Sequence, residues 1–169
     1  MPTYRNEVTM SSDSQLPHGD PPSSFSELAL LVANGPTALI RTDFSDDWTW
    51  SRIVTEATAD FFQHGSVEPF NVILNPINDR RFESLSTADF MQFSPRPQQI
   101  LFVVDAEAMV NREHAVLAID MQDNPGAELR VVPSRIFEIE NNVTGYNMCF
   151  AEFVPSAGSD GVFRGYMLT

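Results

Sequence analysis

Residues 38–50 read Ala38-Leu39-Ile40-Arg41-Thr42-Asp43-Phe44-Ser45-Asp46-Asp47-Trp48-Thr49-Trp50, passing from an apolar run through three carboxylates into an aromatic segment. This order is typical of a buried strand that ends where a helix begins. The acidic residues fall at the junction, where open α/β sheets bind their ligands. We therefore expect an α/β fold whose first strand spans residues 37–42 and whose next helix is capped by Ser45.

Two further continuous apolar runs, at residues 70–75 and 100–104, predict strands that are buried on both faces. Pro76 ends the first run and Asp105 ends the second. Segments with apolar residues at helical spacing separate the three runs. This order predicts three parallel strands with helices on both faces of the sheet. The first predicted helix follows residues 37–42 and ends at Gly65, and it packs on the sheet through Trp50, Ile53, Val54, Ala57 and Phe61. The second is a short helix at 87–93, capped by Ser86 and ended by Ser94-Pro95.

The second half of the chain has a different pattern. Residues 115–121 and 129–132 flank a turn-rich linker and predict a hairpin added to the sheet. Two helices are expected to follow, 134–142 capped by Ser134 and 147–154, and the apolar tail 161–166 is expected to dock. The prediction is a mixed sheet of about five strands flanked by helices.

Composition indicates how the 169 residues are organised. Residues 1–24 are rich in Ser, Pro, Gly and Asp, which predicts a disordered arm. Residues 25–169 are expected to form one α/β domain with its core at 37–166, preceded by a short helix at 25–34. With one cysteine, Cys149, and no signal-peptide pattern, we expect a cytoplasmic protein that is not attached to a membrane.

The charge balance excludes several function classes. Asp and Glu number 23 against 10 Lys and Arg, a formal charge of −13, and every basic residue is Arg. This excess argues against nucleic acid or a membrane as partner. The absence of Lys excludes a Schiff base or a P-loop lysine.

Four segments in a fixed order carry a resemblance to a known family: LIRTDFSDD at 39–47, LFVVD at 101–105, RVVPS to ENN at 130–142, and DGVFRG at 160–165. With these segments the chain resembles the DUF6924 family of small bacterial and fungal proteins, a domain of unknown function. The likeness covers about residues 37–166. It implies one complete domain and supplies no catalytic residues.

Aspartates follow two of the predicted parallel strands. Asp43 and Asp105 would lie at the carboxyl ends of neighbouring strands, and Asp47 close by. Together they could bind Mg²⁺, which prefers one or two carboxylates with water. The competing interpretation is that they cap helices and form turns, and it is favoured, so that no resident cofactor is expected.

Arginines fall at the same predicted edge. Arg41 ends the first strand, and Arg80 and Arg81 lie in the loop after the second. They could bind a carboxylate or a phosphate group. The alternative, which the acidic excess favours, is ion pairing with local acids such as Asp43 and Asp79.

Other reactive or aromatic residues give weaker signals. Cys149 between Met148 and Phe150 is expected to be a buried, inert thiol, although pairing with His114 as a nucleophile is an alternative. Trp48 and Trp50 point in different directions on a helix, so one should be in the core and the other at the surface.

Two function classes follow from these patterns. The favoured one is a non-catalytic binding or regulatory module whose acidic surface recognises a basic protein partner. The alternative is a small enzyme or small-molecule-binding protein that uses Asp43, Asp47, Asp105 and Arg41 at the sheet edge.

Overall fold

Two neighbouring parallel strands inside the sheet are fully buried in the computed structural model, which describes residues 24–62, 67–70 and 72–166. They are β1 (Ala38–Arg41) and β3 (Ile100–Val104), and every residue of both is buried. Ile40 lies opposite Val103 in their register. Continuous apolar runs of this kind are required because helices cover both faces.

Among the described residues, six strands form one sheet in the order β2-β1-β3-β4-β5-β6. The outer strands are β2 (Asn75–Ile77), β4 (Val116–Asp120), β5 (Glu128–Val131) and β6 (Val162–Phe163). β2, β1 and β3 are parallel, and β4 and β5 form the antiparallel hairpin. The predicted α/β mixed sheet is confirmed, with one more strand because the tail adds β6 parallel to β5.

Helices pack on both faces of the sheet and divide the core in two. One face is covered by α1 (Phe25–Ala33), a 3-10 turn (Arg80–Phe82) and α3 (Thr87–Phe90). The other face is covered by α2 (Asp47–Ala57), α4 (Ala106–Val110) and α5 (Ile136–Thr144). None of these described helices has the length and apolar content needed to cross a membrane.

The predicted strand at 70–75 is wrong in position. Ile73 is 64% exposed and the strand begins only at Asn75. β2 lies at the edge of the sheet, beside β1, and of residues 72–74 before it only Leu74 is buried. Pro76 belongs to the strand rather than ending it, which an edge position tolerates because one side needs no N–H donor.

Two predicted helix caps are also wrong. Asp46, not Ser45, caps α2: its backbone is extended and its carboxylate accepts from the Trp48 amide at 3.0 Å. Ser45 is instead bonded to Asp43. Ser134 lies within a 3-10 turn (Pro133–Arg135), and α5 begins after that turn without a side-chain cap.

Three predicted helices differ from expectation: α2 and α3 are shorter, with α3 ending at Phe90 rather than at residue 93, and the last one is not an α-helix. α2 ends at Ala57, and Phe61 instead forms a backbone bridge with Phe70 and packs against Phe137, with the ring centres 5.0 Å apart. Residues 147–154 form no α-helix but two 3-10 turns, Phe150–Glu152 and Val154–Ser156. Gly65, and the predicted arm except Ser24, lie outside the described residues.

The loop after β4 is organised by one buried carboxylate. Asp120 is 3% exposed, and its two oxygens accept the backbone N–H groups of Gln122, Asp123 and Asn124 at 2.8–3.0 Å. This loop closes the β4–β5 hairpin. A buried carboxylate with three donors stabilises a turn that would otherwise leave amide groups unsatisfied.

We expect Asp120→Ala to lower the free energy of unfolding by roughly 2–3 kcal/mol, since it orphans these amides. Urea denaturation measures the change. The matched control is Asp123→Ala at the exposed neighbour, which should stay within about 0.5 kcal/mol of wild type. Equal effects of the two substitutions would show that the loop does not depend on Asp120.

Candidate functional site

The carboxyl ends of β1 and β3 lie side by side, along the edge of the sheet that is formed by strand ends and not by the outer strand β2. The backbone amides of Thr42 and Asp43 both donate to the Val104 carbonyl, at 2.9 and 3.3 Å. Asp43 and Asp105 therefore follow neighbouring strand ends, as the sequence suggested. Their side chains, however, have separate partners.

Asp43, Asp46 and Asp47 lie together where the chain leaves β1 and enters α2. One oxygen of Asp43 accepts both the amide (2.9 Å) and the hydroxyl of Ser45. Asp46 accepts from the Thr49 hydroxyl at 2.6 Å and from the Trp48 amide. These two bonds, with that of Thr49 the stronger, hold the pKa of the Asp46 carboxyl below its usual range.

Arg41 lies beneath these acids and is almost completely buried. Its Nη1 donates to Asp47 Oδ1 at 2.7 Å, and its Nε donates to the Asp43 carbonyl at 2.8 Å. Its guanidinium carbon is 4.6 Å from the centre of the Phe44 ring and 5.7 Å from that of Trp50. The side chain of Arg41 is 1% exposed and that of Asp47 is 92% exposed, so the ion pair joins the core to the surface.

Arg80 and Arg81 lie at the end of β2 but differ in their partners. The guanidinium carbon of Arg80 lies 4.8 Å from the centre of the Phe44 ring, and Arg80 pairs with Glu83. Arg81 pairs with Asp79 at 2.6 Å, and this hydrogen bond lowers the pKa of the Asp79 carboxyl. The predicted alternative of pairing with local acids therefore describes all three arginines, since Arg41 pairs with Asp47, Arg80 with Glu83 and Arg81 with Asp79. Arg41 contacts Asp43 only through the Asp43 carbonyl.

Asp105 is held by Arg130, which sequence reasoning missed. Arg130 Nη1 and Nη2 donate to the two Asp105 oxygens at 2.8 and 2.6 Å, and Nη2 also lies 2.9 Å from Glu107. Asp105 in turn caps α4 by accepting from Ala108. The alternation of side chains along β5 could have predicted that Arg130 lies on the opposite face of the sheet from Leu129 and Val131. Its contact with Asp105 could not be predicted, because that contact depends on the register of β5 against β4.

Burial raises the pKa of Asp105, but the hydrogen bonds from Arg130 and the Ala108 amide outweigh it, so the pKa is lower than usual. The pair lines a cavity of about 340 Å³ with an apolar floor that includes Val103 and Ile119. This cavity is the feature of the edge best suited to a small ligand.

The predicted Mg²⁺ ligands are not gathered into one group. Asp47 is bonded to Arg41 and Asp105 to Arg130. No group of three or more His, Cys, Asp or Glu side chains among the described residues is arranged to hold a metal ion. The described carboxylates of this edge therefore have separate partners within the chain and do not form a closed coordination sphere.

Cys149 and His114 lie at opposite ends of β4. His114 precedes the strand and its Nδ1 is 2.9 Å from the Ala108 carbonyl, whereas Cys149 shares a cavity with Asp120 at the other end. Cys149 is exposed, contrary to expectation, because it precedes a short turn rather than lying in a helix. The hydrogen bond with Glu152 raises the pKa of its thiol, which disfavours the nucleophilic thiolate.

The two tryptophans separate as predicted. Trp50 is 6% exposed and packs in the core, whereas Trp48 is 68% exposed beside the three aspartates. Arg52, one helical turn further on, lies 5.8 Å from the centre of the Trp48 ring. A large exposed indole among carboxylates is the most distinctive surface feature of this edge.

The lowered pKa of Asp105 predicts how its contribution depends on pH. The charged form stabilises the fold fully above the unfolded value, near 3.8, and this stabilisation is lost as the pH falls through the lower folded value. The difference in unfolding free energy between wild type and Asp105→Asn should be constant above about pH 5 and shrink below about pH 4. Urea denaturation across this range measures it. A difference that persists unchanged into acid would contradict the assignment.

Comparison with known proteins gives one positive result. The family model described as a domain of unknown function, DUF6924, matches residues 36–166. A search of the curated proteins finds no match. The matched segment includes all six strands and every acid and arginine of the edge described above. Because the model covers most of the chain, the protein belongs to the DUF6924 family.

Proposed function

We propose that this chain is a non-catalytic binding module that recognises a basic protein partner through the surface formed by Asp43, Asp46, Asp47 and Trp48. We name this surface the acidic edge. The observation that carries the proposal is the exposed Trp48 among carboxylates that the fold already orients.

The charge distribution supports a cationic partner. All arginines except Arg5 are among the described residues, and six of those nine form ion pairs with acids of the same chain. Internal pairing therefore neutralises most of the positive charge of the described residues, whereas the whole chain has 23 acidic residues against 10 basic residues. A field of one sign attracts an oppositely charged partner and raises its association rate.

The carboxylates of the acidic edge are held in place before a partner arrives. Asp46 is fixed by Thr49 and Trp48, and Asp47 by Arg41. Preorientation lowers the entropy lost when a partner binds. Trp48 adds an apolar anchor, and tryptophan is enriched among the residues that dominate binding energy at protein interfaces.

The alternative is a small-molecule site at the same end of the sheet, and the cavity beside Asp105 and Arg130 favours it. A thermal-shift screen tests this alternative, because a ligand that prefers the native state raises the melting temperature. On the binding-module account, we expect no rise in melting temperature with millimolar Mg²⁺ or with nucleotides. A rise that Arg130→Met abolishes would favour the alternative.

We expect Trp48→Ala to weaken partner binding by about 2 kcal/mol, roughly 30-fold in dissociation constant, since it removes the apolar anchor. The partner is first captured from the source cells at physiological ionic strength, and its dissociation constant is then measured by calorimetry. Tyr146→Ala is the matched control, because Tyr146 is 78% exposed at the opposite edge of the sheet.

Salt dependence provides a second readout, taken from stopped-flow fluorescence measurements with the same captured partner. The association rate should fall as ionic strength rises, and Asp47→Asn should reduce that dependence. Equal losses for Trp48→Ala and Tyr146→Ala would contradict the proposal. So would a captured partner without basic character.

A further inference from the structure

Arg41 has an unusual environment for a charged side chain. Its Nη2 is buried and has no hydrogen-bond partner, the one such side-chain atom found in the described part of the chain. The remaining polar atoms of the guanidinium bond to the Asp43 carbonyl, to Asp47 and, at 3.4 Å, to Asn78. Phe44 and Trp50 form its apolar surroundings.

This environment is not one that stabilises a fold well. Burying a cation costs free energy, and an unpaired donor adds to the cost. An unbranched apolar side chain of similar length, such as Met, would fill the same space without an orphaned donor. Departures of this kind from well-satisfied packing are expected where a residue serves function.

The ion pair with Asp47 indicates what Arg41 does. Asp47 is in the first turn of α2, and its carboxylate is exposed except for the bond from Oδ1 to Arg41. Oδ2 has no hydrogen-bond partner among the described residues. Arg41 thus anchors one oxygen of an exposed carboxylate and leaves the other without a partner among the described residues, at the residue next to Trp48 in α2.

The aromatic side chains nearby indicate which cation fits. The guanidinium carbons of Arg41 and Arg80 lie 4.6 and 4.8 Å from the centre of the Phe44 ring. That of Arg52 lies 5.8 Å from the centre of the Trp48 ring. Planar guanidinium groups stack on aromatic rings and bond to carboxylates in the same plane, which an ammonium group cannot do as well. Most of the Trp48 ring is still exposed and available.

We propose that the acidic edge binds an arginine side chain of the partner between Asp47 and Trp48, and that buried Arg41 is a positioning residue that orients Asp47 for it. This inference rests on the proposed function and names the chemistry of its partner. The arrangement favours arginine over lysine at equal charge. It also means that the chain retains Arg41 at the expense of stability.

Short oligoarginine and oligolysine peptides of equal length serve as probes. Their affinities are measured at physiological ionic strength from the chemical shift of the Trp48 indole N–H. We expect the wild type to bind oligoarginine about tenfold more tightly than oligolysine. Arg41→Met should remove most of this preference, because Asp47 is then free to rotate.

Two controls separate positioning from folding. Arg135→Met is the matched variant, since Arg135 also stacks on a phenylalanine, Phe61, and pairs with a carboxylate, Glu138. It should retain the preference for oligoarginine. The urea midpoint of Arg41→Met should equal or exceed that of wild type, whereas a purely structural Arg41 would give a lower midpoint.

Each outcome decides the inference. Loss of the preference in Arg41→Met with an undiminished urea midpoint supports it. Three results overturn it: a preference that persists in Arg41→Met, a loss of preference with a lower urea midpoint, or a wild type that does not distinguish the peptides at Trp48. None of these results bears on the proposed function, which is judged by capture and by the Trp48→Ala comparison with the natural partner.

Discussion

The parallel pairing of β1 with β3 is the constraint on which the rest of this structure depends. Both strands are buried on both faces, so helices must cover each side of the sheet. The pairing continues one step past the strands, where the Val104 carbonyl accepts two amides from the chain leaving β1. That continuation fixes the start of α2 beside the end of β3. The acidic edge is therefore a consequence of the central register, because a slip of one residue would turn Arg41 to the other face.

The sequence was sufficient to predict an element wherever the apolar pattern matches the burial that the fold imposes. Residues 100–104 could be predicted with their bounds, since a run of five apolar residues has no solvent face in this sheet. Residues 70–75 were mispredicted because an apolar run does not reveal that β2 is an edge strand. Arg130 was missed because its approach to Asp105 depends on how the hairpin registers against β3. The burial of Arg41 could not be predicted either, since it depends on packing beneath Phe44 and α2.

The two arginine–aspartate pairs near this edge illustrate different uses of the same chemistry. Arg130 and Asp105 form a bidentate pair in which both oxygens are bonded, and Asp105 also caps a helix. This pair connects β5 with the end of β3 and the start of α4. Arg41 and Asp47 share a single contact that leaves a surface oxygen free and a buried donor unsatisfied. The first arrangement suits stability, whereas the second suits recognition, which is why we place binding at α2 and not at the cavity beside Asp105.

The central claim is that a basic partner docks on the acidic edge. Hydrogen–deuterium exchange of this chain, with and without its captured partner, tests that claim most directly, because it reports every part of the surface at once. The account predicts slower exchange for backbone amides within residues 43–52 and no change around Tyr146 at the opposite edge of the sheet. Protection that falls around Tyr146, or unchanged exchange throughout residues 43–52 in the bound state, would contradict it.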